Sequence, residues 1–362
     1  MSRQFVESLR DLARQACCSE GRRTLVDDDQ VLSDLECHLD EPRAIAVIRN
    51  LAATECHHTR SRLRRFISPI LSSVAPTNLK FQALCNLVQN YPAHARLVFP
   101  NVVFPDVYNE FEAARALLFA CIRCDDDSFA AFLERRDLIG LTMNVADDIE
   151  WALLTVKLLL QKSRLDCLLE LSPEQLRFAL EVLESCLQPD IISFLTTILQ
   201  SWLSEFGPHL LAQNDVPEVQ LDLLYAALSL ANEAVILPGT VFDERLADVT
   251  LNLLSACGQG DGPKPTRTGP NSDIPTTPHS MKAILVRLLA NLAGVDERSR
   301  RRIGEDDALL LLLNQTKIDD QNPFIREWVI VAIRHLTQDD PEVQRRIAEI
   351  QPTPFQTVQV EM

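Results

Sequence analysis

Four stretches of the chain follow one template, and that template constrains the fold more than any other property of the sequence. Ala44–Leu63 reads AIAVIRNLAATECHHTRSRL, Lys80–Val98 KFQALCNLVQNYPAHARLV, Ile284–Ile303 ILVRLLANLAGVDERSRRRI and Glu327–Ile347 EWVIVAIRHLTQDDPEVQRRI. Each is an apolar run of helical period closed by a polar residue and Leu, then a short polar break, then a second helix with an aliphatic anchor. The polar residues are Asn50, Asn86, Asn291 and His335, and the anchors Leu63, Val98, Ile303 and Ile347 follow at offsets of 13, 12, 12 and 12. A fixed internal offset of this kind marks an α-solenoid, whose units bury their apolar faces only by stacking on one another.

The polar residues are spaced 36 (50 to 86), 205 (86 to 291) and 44 (291 to 335) apart, and the long interval has room for five units of 41. That period lies within the roughly 40–47 residues of armadillo and HEAT repeats. Ala116–Phe132 and Leu221–Leu237 keep the apolar run and lose the Asn, whereas Trp151–Phe194 keeps only the helical period. The spacing predicts an all-α chain, an armadillo/HEAT-like right-handed α-solenoid forming one continuous superhelix without a sheet. Alternating apolar and polar runs are scarce, which argues against strands.

Composition narrows the class further. The densest apolar run, Ala308–Leu313, is far too short to cross a bilayer, and the charged N-terminal stretch lacks the apolar centre of a signal peptide, so a soluble protein with no membrane insertion is expected. Cys85, Cys121, Cys167 and Cys186 sit inside apolar helical patterns, where a free thiol acts as a small hydrophobe; reduced cysteines in a cytosolic or nuclear compartment follow. Cys121 and Cys124 form a lone C-x-x-C without a second pair or a βαβ context, and Cys56-His57-His58 and Cys37-His38 lack metal-site spacing, so no metal and no cofactor are expected. A net charge of −16 disfavours nucleic acid as a partner. Two basic clusters, Arg60/62/64/65 and Arg298/300/301/302, recur on the anchor-bearing helix; they read either as solvated faces or as docking spots for an acidic partner. The acidic clusters Asp27–Asp29, Asp125–Asp127 and Asp147/Asp148/Glu150 fall at breaks and helix starts, where carboxylates complement the helix dipole. There is no GxxxxGK[ST], HExxH or GxSxG, and no enzymatic activity is expected.

One boundary stands out. Gly258–Ser280 carries four Gly and five Pro, which no regular helix accommodates, and it is expected to be a mobile loop ending in a Thr277-Pro278 helix start. The organisation is therefore degenerate helical repeats over 1–257, the loop over 258–280, a terminal repeat module over 281–350 and a disordered tail over 351–362.

Ile318–Thr337 reads IDDQNPFIREWVIVAIRHLT. It resembles the signature of the ataxin-10 family, a D-x-N-P-F-x-x-E-W-x-I-x-A-I-R-N-L string in a C-terminal armadillo-like module, and Lys282–Leu292 and Leu309–Asn314 follow the same module in order. The chain departs from the family at His335, where Asn is usual. The resemblance implies a fungal-type homologue: a cytoplasmic, non-enzymatic scaffold that binds other proteins and acts in cytokinesis and cell division. Two alternatives share the fold, a peptide-binding transport receptor and an armadillo-type exchange factor or co-chaperone. The receptor reading meets an obstacle, because the positions four before each polar residue are Ala46, Gln82, Arg287 and Val331, with no Trp among them.

Within the motif, Ile325, Val329, Ala332, Ile333 and Leu336 form one apolar face, and Phe324, Trp328, Val331 and His335 line the next. Asn50, Asn86, Arg287, Asn291, Trp328, Arg334 and His335 are the candidate partner-binding residues, placed along a groove made by the last helix of each repeat. A row of side-chain amides suits the backbone of an extended partner. Each amide also lies in the last turn of its helix, where it can cap its own backbone, and Trp328 can pack between repeats. Partners other than protein are not expected, and self-association stays open.

Overall fold

The computed structural model describes residues 3–54, 56–144, 149–212, 215–258, 281–316, 324–338 and 340–350. Most of the Gly/Pro-rich segment, the C-terminal tail, Asp147-Asp148 and Asn322-Pro323 lie outside the described residues. The protein is all-α: among the described residues there are helices and no strand. It divides into two compact units, Met1–Gln175 and Leu176–Met362, with the boundary inside the segment read as degenerate repeats.

The first unit holds α1 (Arg3–Gln15), α2 (Ser19–Asp27), α3 (Asp29–Cys37), α4 (Pro42–Ala52), α5 (His57–Leu63), α6 (Ile67–Ser72) and α7 (Thr77–Val88). It continues with α8 (Pro92–Val98), α9 (Phe104–Val107), α10 (Glu112–Cys124), α11 (Asp126–Leu133), α12 (Arg136–Thr142) and α13 (Ile149–Gln161). Helix α14 (Pro173–Glu184) carries the boundary, and the second unit holds α15 (Ile192–Leu211), α16 (Glu218–Ala234), α17 (Arg245–Gly258) and α18 (Lys282–Val295). It ends with α19 (Glu297–Ile303), α20 (Asp306–Leu313), α21 (Ile325–Thr337) and α22 (Pro341–Glu349). The four template stretches thus fold as the helix pairs α4/α5, α7/α8, α18/α19 and α21/α22.

The first helix of each pair belongs to a ladder. In the first unit α1, α4, α7, α10 and α13 pack side by side in that order, and in the second α16, α18 and α21 do the same, backed by α15 and α17. Ladder helices α4, α7, α10 and α13 begin at 42, 77, 112 and 149, so the steps are 35, 35 and 37 residues rather than 41. Each ladder helix buries the stripe its period predicts. Ile45, Ile48 and Leu51 of α4, Leu84 and Leu87 of α7, and Leu117 and Leu118 of α10 are almost fully buried, each stabilising the stack by about 1.5–3 kcal/mol. Anchors Leu63, Val98 and Ile303 are fully buried. Ile347 is only half-buried, and Val343 is the buried residue of α22; no described helix follows α22 to cover the anchor.

The breaks are set by local chemistry. Pro42, Pro92 and Pro341 open their helices, where the missing N–H is no loss. Asp28, Asp125, Asp296 and Asp340 are N-caps whose carboxylates accept backbone N–H bonds, so two of the acidic clusters serve helix starts.

Candidate functional site

In the first unit the outer face of the ladder is a strip of amides and guanidinium. Arg49 Nη1 donates to Gln82 Oε1 at 2.9 Å, joining α4 to α7, and its Nε and Nη2 each lie 3.4 Å from Asn50 Oδ1. Asn50 Nδ2 lies 3.8 Å from Cys17 Sγ, and Asn86 Nδ2 donates to the Arg49 carbonyl at 3.0 Å. A shallow groove of about 220 Å³ runs here between Arg49, Gln82, Cys85, Asn86, Ala113 and Ala116.

The second unit repeats the theme. Asn232, fully buried in α16, donates from Nδ2 to the carbonyls of Leu228 (3.0 Å) and Ile284 (3.2 Å). Its Oδ1 accepts from Asn291 Nδ2 at 3.1 Å. Arg287 Nη2 reaches Glu233 Oε1 at 3.0 Å, and the same guanidinium sits 5.4 Å over the Trp328 ring, so one side chain ties α16, α18 and α21 together. His335 stands flat against α18: a Cβ on Gly294 would lie 3.2–3.3 Å from three atoms of its imidazole. Burial, helped by the charges of Arg300 and Arg334, holds the His335 ring below its usual protonation range. Arg334 is exposed and has no ion pair among the described residues.

The capping reading of the polar row therefore needs revising. The Asn amides at 50, 86 and 291 neither cap their own helix nor stand clear of the protein; each turns its N–H donors to the preceding part of the ladder. Where Asn is replaced at 335, packing on Gly294 replaces the hydrogen bond. Trp328 sits in the seam between α18 and α21. Of that motif's apolar faces, Ile325, Val329, Ala332 and Leu336 are buried, Ile333 is half-buried, and Phe324 is largely exposed.

One recurrent set of residues escapes the template. Where each break turns back, a side chain of the second helix donates to a carbonyl at the end of the first. Arg60 Nε does so to Thr54, His94 Nδ1 to Leu87, Arg300 Nε to Ala293 and Gln344 Nε2 to Thr337, at 2.5–2.8 Å. These residues follow the polar position by 8–10, but their types differ, and only the type-independent spacing signals them. The donors satisfy carbonyls that a helix end leaves orphaned.

Part of each basic cluster is spent within the chain. Arg62 pairs with Asp29, Arg65 with Glu36, Arg301 with Glu297, and Arg302 with Asp248, Glu305 and Asp307. Those four arginines are compensated as docking spots. All ten cysteines are free thiols. Burial raises Cys121 well above the ordinary thiol range and pushes Cys124 up to about 11, so this pair is inert core. His58 bonds Asp27, and His57 bonds the Tyr91 hydroxyl; among the described residues no group of three or more metal-ligand side chains converges. No described helix is long and apolar enough to cross a membrane. The 220 Å³ groove and a second of about 180 Å³ beside Phe81 are smaller than the ~300–1,000 Å³ of small-molecule sites.

Comparison with known proteins bears on the C-terminal module. Residues 281–361 match the Spinocerebellar ataxia type 10 protein domain. Human Ataxin-10 is 34% identical over 104 residues, 28% of this chain and 20% of that protein. The Ataxin-10 homolog of Candida albicans is 32% identical over 72 residues, 20% of this chain and 16% of its own. The chain thus spans about a fifth of the length of the curated relatives it matches. A solved engineered protein, 12% identical over 91% of this chain and 94% of its own, has a TM-score of 0.38, too low to argue a shared fold. The C-terminal part of the chain, with α18, α21 and the helices between them, is thus similar to the corresponding part of the ataxin-10 proteins.

Proposed function

We propose that this helical, scaffold-type protein is a non-enzymatic armadillo-repeat scaffold that binds other proteins along the outer faces of its helix ladders. Its cellular role is in cytokinesis, and it acts in the cytoplasm. The observation that supports this reading is the α16–α18–α21 face, where Glu233, Arg287, Asn291, Trp328 and Arg334 present charge, amide and indole in one row. Trp and Arg are the residue types most enriched where binding energy concentrates. Asn50 and Asn86 occupy the corresponding face of the first unit. The grooves are shallow and suit a polypeptide surface better than an enclosed substrate.

The test compares proteins retained from cell lysate by the wild-type chain and by Arg334→Glu, which changes an exposed side chain with no ion pair among the described residues. The proposal expects specific partners to be lost while melting behaviour stays native. Retention of the same partners by Arg334→Glu and by Asn291→Ala would refute the ladder-face reading. Removal of the protein from cells should delay or block their separation after division; normal separation would refute the cytokinetic role and leave the scaffold.

A further inference from the structure

We infer that the outer face of the α4–α7–α10–α13 ladder binds an acidic segment of a partner polypeptide in extended form. The inference rests on the scaffold reading above and adds to it the surface and the partner's chemistry.

Charge compensation carries the argument. Five cations of the first unit are matched: Arg96 with Asp125 and Asp127, Arg135 with Asp137, Arg136 with Glu170, Lys162 with Asp126 and Arg164 with Asp166. Arg49 of α4, Arg123 of α10 and Lys157 of α13 face outward from the ladder and have no carboxylate partner among the described residues. Arg49 is held only by the neutral amides of Gln82 and Asn50, which fix its head and leave its charge uncancelled. In a chain of net charge −16, three uncompensated cations on one face are a local reversal of sign. The carboxylates that follow Arg123, Asp125–Asp127, are engaged by Arg96 and Lys162, and the exposed carboxylates within α10 and α13, Glu112 and Glu150, belong to the opposite helix ends. They lie about 17 and 10 Å along the axes from Arg123 and Lys157.

The surface between the cations suits a polypeptide backbone. Cys85, Ala113 and Ala116 give the 220 Å³ groove a floor of small side chains, and Gln82 and Asn86 stand along it. Further along, Phe119 and Trp151 pack with ring centroids 6.3 Å apart, and Arg123 lies 5.7 Å over the Phe119 ring. That stacking pre-positions the guanidinium beside an apolar step, so an acidic residue followed by an aliphatic one meets matching chemistry. Adjacent ladder helices lie about 9 Å apart, giving roughly 27 Å from α4 to α13. An extended chain covers that distance in about eight or nine residues.

The experiment is fluorescence anisotropy on the full chain with a dye-labelled twelve-residue peptide repeating Glu-Leu-Glu-Gly. The same peptide with Lys for Glu, and a twelve-nucleotide oligouridine RNA, serve as competitors. The acidic peptide should bind saturably at low salt and weaken as salt is raised. Arg49→Glu/Arg123→Glu/Lys157→Glu should weaken it by about tenfold or more, and the ion-paired control Arg135→Ala/Arg164→Ala should not. Because Arg49 also bridges α4 to α7, Arg123→Glu/Lys157→Glu is the second variant: it leaves that bridge intact and should retain most of the loss. The inference is overturned if the acidic peptide does not bind, if both charge-reversal variants bind it as wild type does, or if the RNA or the Lys peptide binds more tightly. Loss of lysate partners on Arg334→Glu alongside any of those results refutes this inference alone; unchanged partners refute the scaffold reading as well.

Discussion

The pair Asn232–Asn291 offers a quantitative test of how the second unit is joined. Asn232 is fully buried, and truncating it to Ala removes its bonds to the carbonyl of Ile284 and from the amide of Asn291. Each such bond contributes about 0.5–1.5 kcal/mol net, and the void left by a small polar side chain adds to this, so Asn232→Ala should cost about 2–3 kcal/mol. Asn291→Ala removes one bond yet strands the buried Asn232 Oδ1, at about 1–3 kcal/mol. The double variant removes both partners of that bond and should cost about 1 kcal/mol less than the sum of the singles. Hydrogen exchange of the α16 and α18 amides reads the effect directly: 2–3 kcal/mol is an acceleration of about 30- to 150-fold. An Asn232→Ala cost below about 0.5 kcal/mol, or a coupling near zero, would refute the claim that these amides join the helices.

Asp125, almost fully buried at the start of α11, accepts from Arg96 Nε and from Ser128 N and Oγ, each at 2.8 Å. Asp125→Ala should lower stability by about 2 kcal/mol, measured by urea unfolding. Burial raises its carboxyl, but the Arg96 and Ser128 bonds outweigh that and hold it below the usual 3.8, so its contribution is full above that value and is lost as pH falls further. Burial holds His94 below its ordinary 6.5, while Nδ1 donates to Leu87. The unfolded chain therefore takes up the proton first, and stability should fall as pH drops below 6.5; His94→Gln should flatten the urea midpoint across that range, and an unchanged slope would refute the assignment. Gly294→Ala should gain helix propensity, about 1 kcal/mol, and lose it against the His335 ring. The same change in a His335→Ala background should be stabilising, and a thermal melt that shows equal shifts in both backgrounds would refute the contact.

How much of this was legible in the sequence depends on the range of the interaction. Helix pairs were legible because period, break and anchor all lie within about twenty residues, and Pro42, Pro92, Asp296 and Asp340 mark their starts locally. The ladder partners were not, because the bonds that define them run from Asn86 to Arg49, or from Asn232 to Ile284, across 37 and 52 residues. The same limit misdirected the reading of the basic clusters. Arg62 and Arg302 read as free charge in the chain, and their partners Asp29 and Asp248 stand 33 and 54 residues away. Asn232 itself lies inside a stretch set aside for lacking the template's Asn, yet α16 supplies that Asn at the end of its apolar run. The expected period of 41 also failed locally, since the first unit's steps are shorter and the averaged interval concealed it.

The chemistry that makes a residue attractive as a partner contact is the same chemistry that joins helices in a stacked array. An amide that donates and accepts, or a guanidinium over an indole, serves a neighbouring repeat as well as a foreign chain. Arg287, Asn291 and Trp328 are engaged in that way, so truncating them alters stability before it alters binding, and a lost partner in such a variant says little about contact. Arg49, Arg123 and Lys157 differ, because no carboxylate pairs with them among the described residues. Reversing Arg123 and Lys157 removes no ion pair among the described residues, and the fold should tolerate it. A change in binding there, at constant melting temperature, reports on the surface itself. A fall in melting temperature on reversal would mean that the charges answer to something within the chain, and the outer face would then be a packing surface.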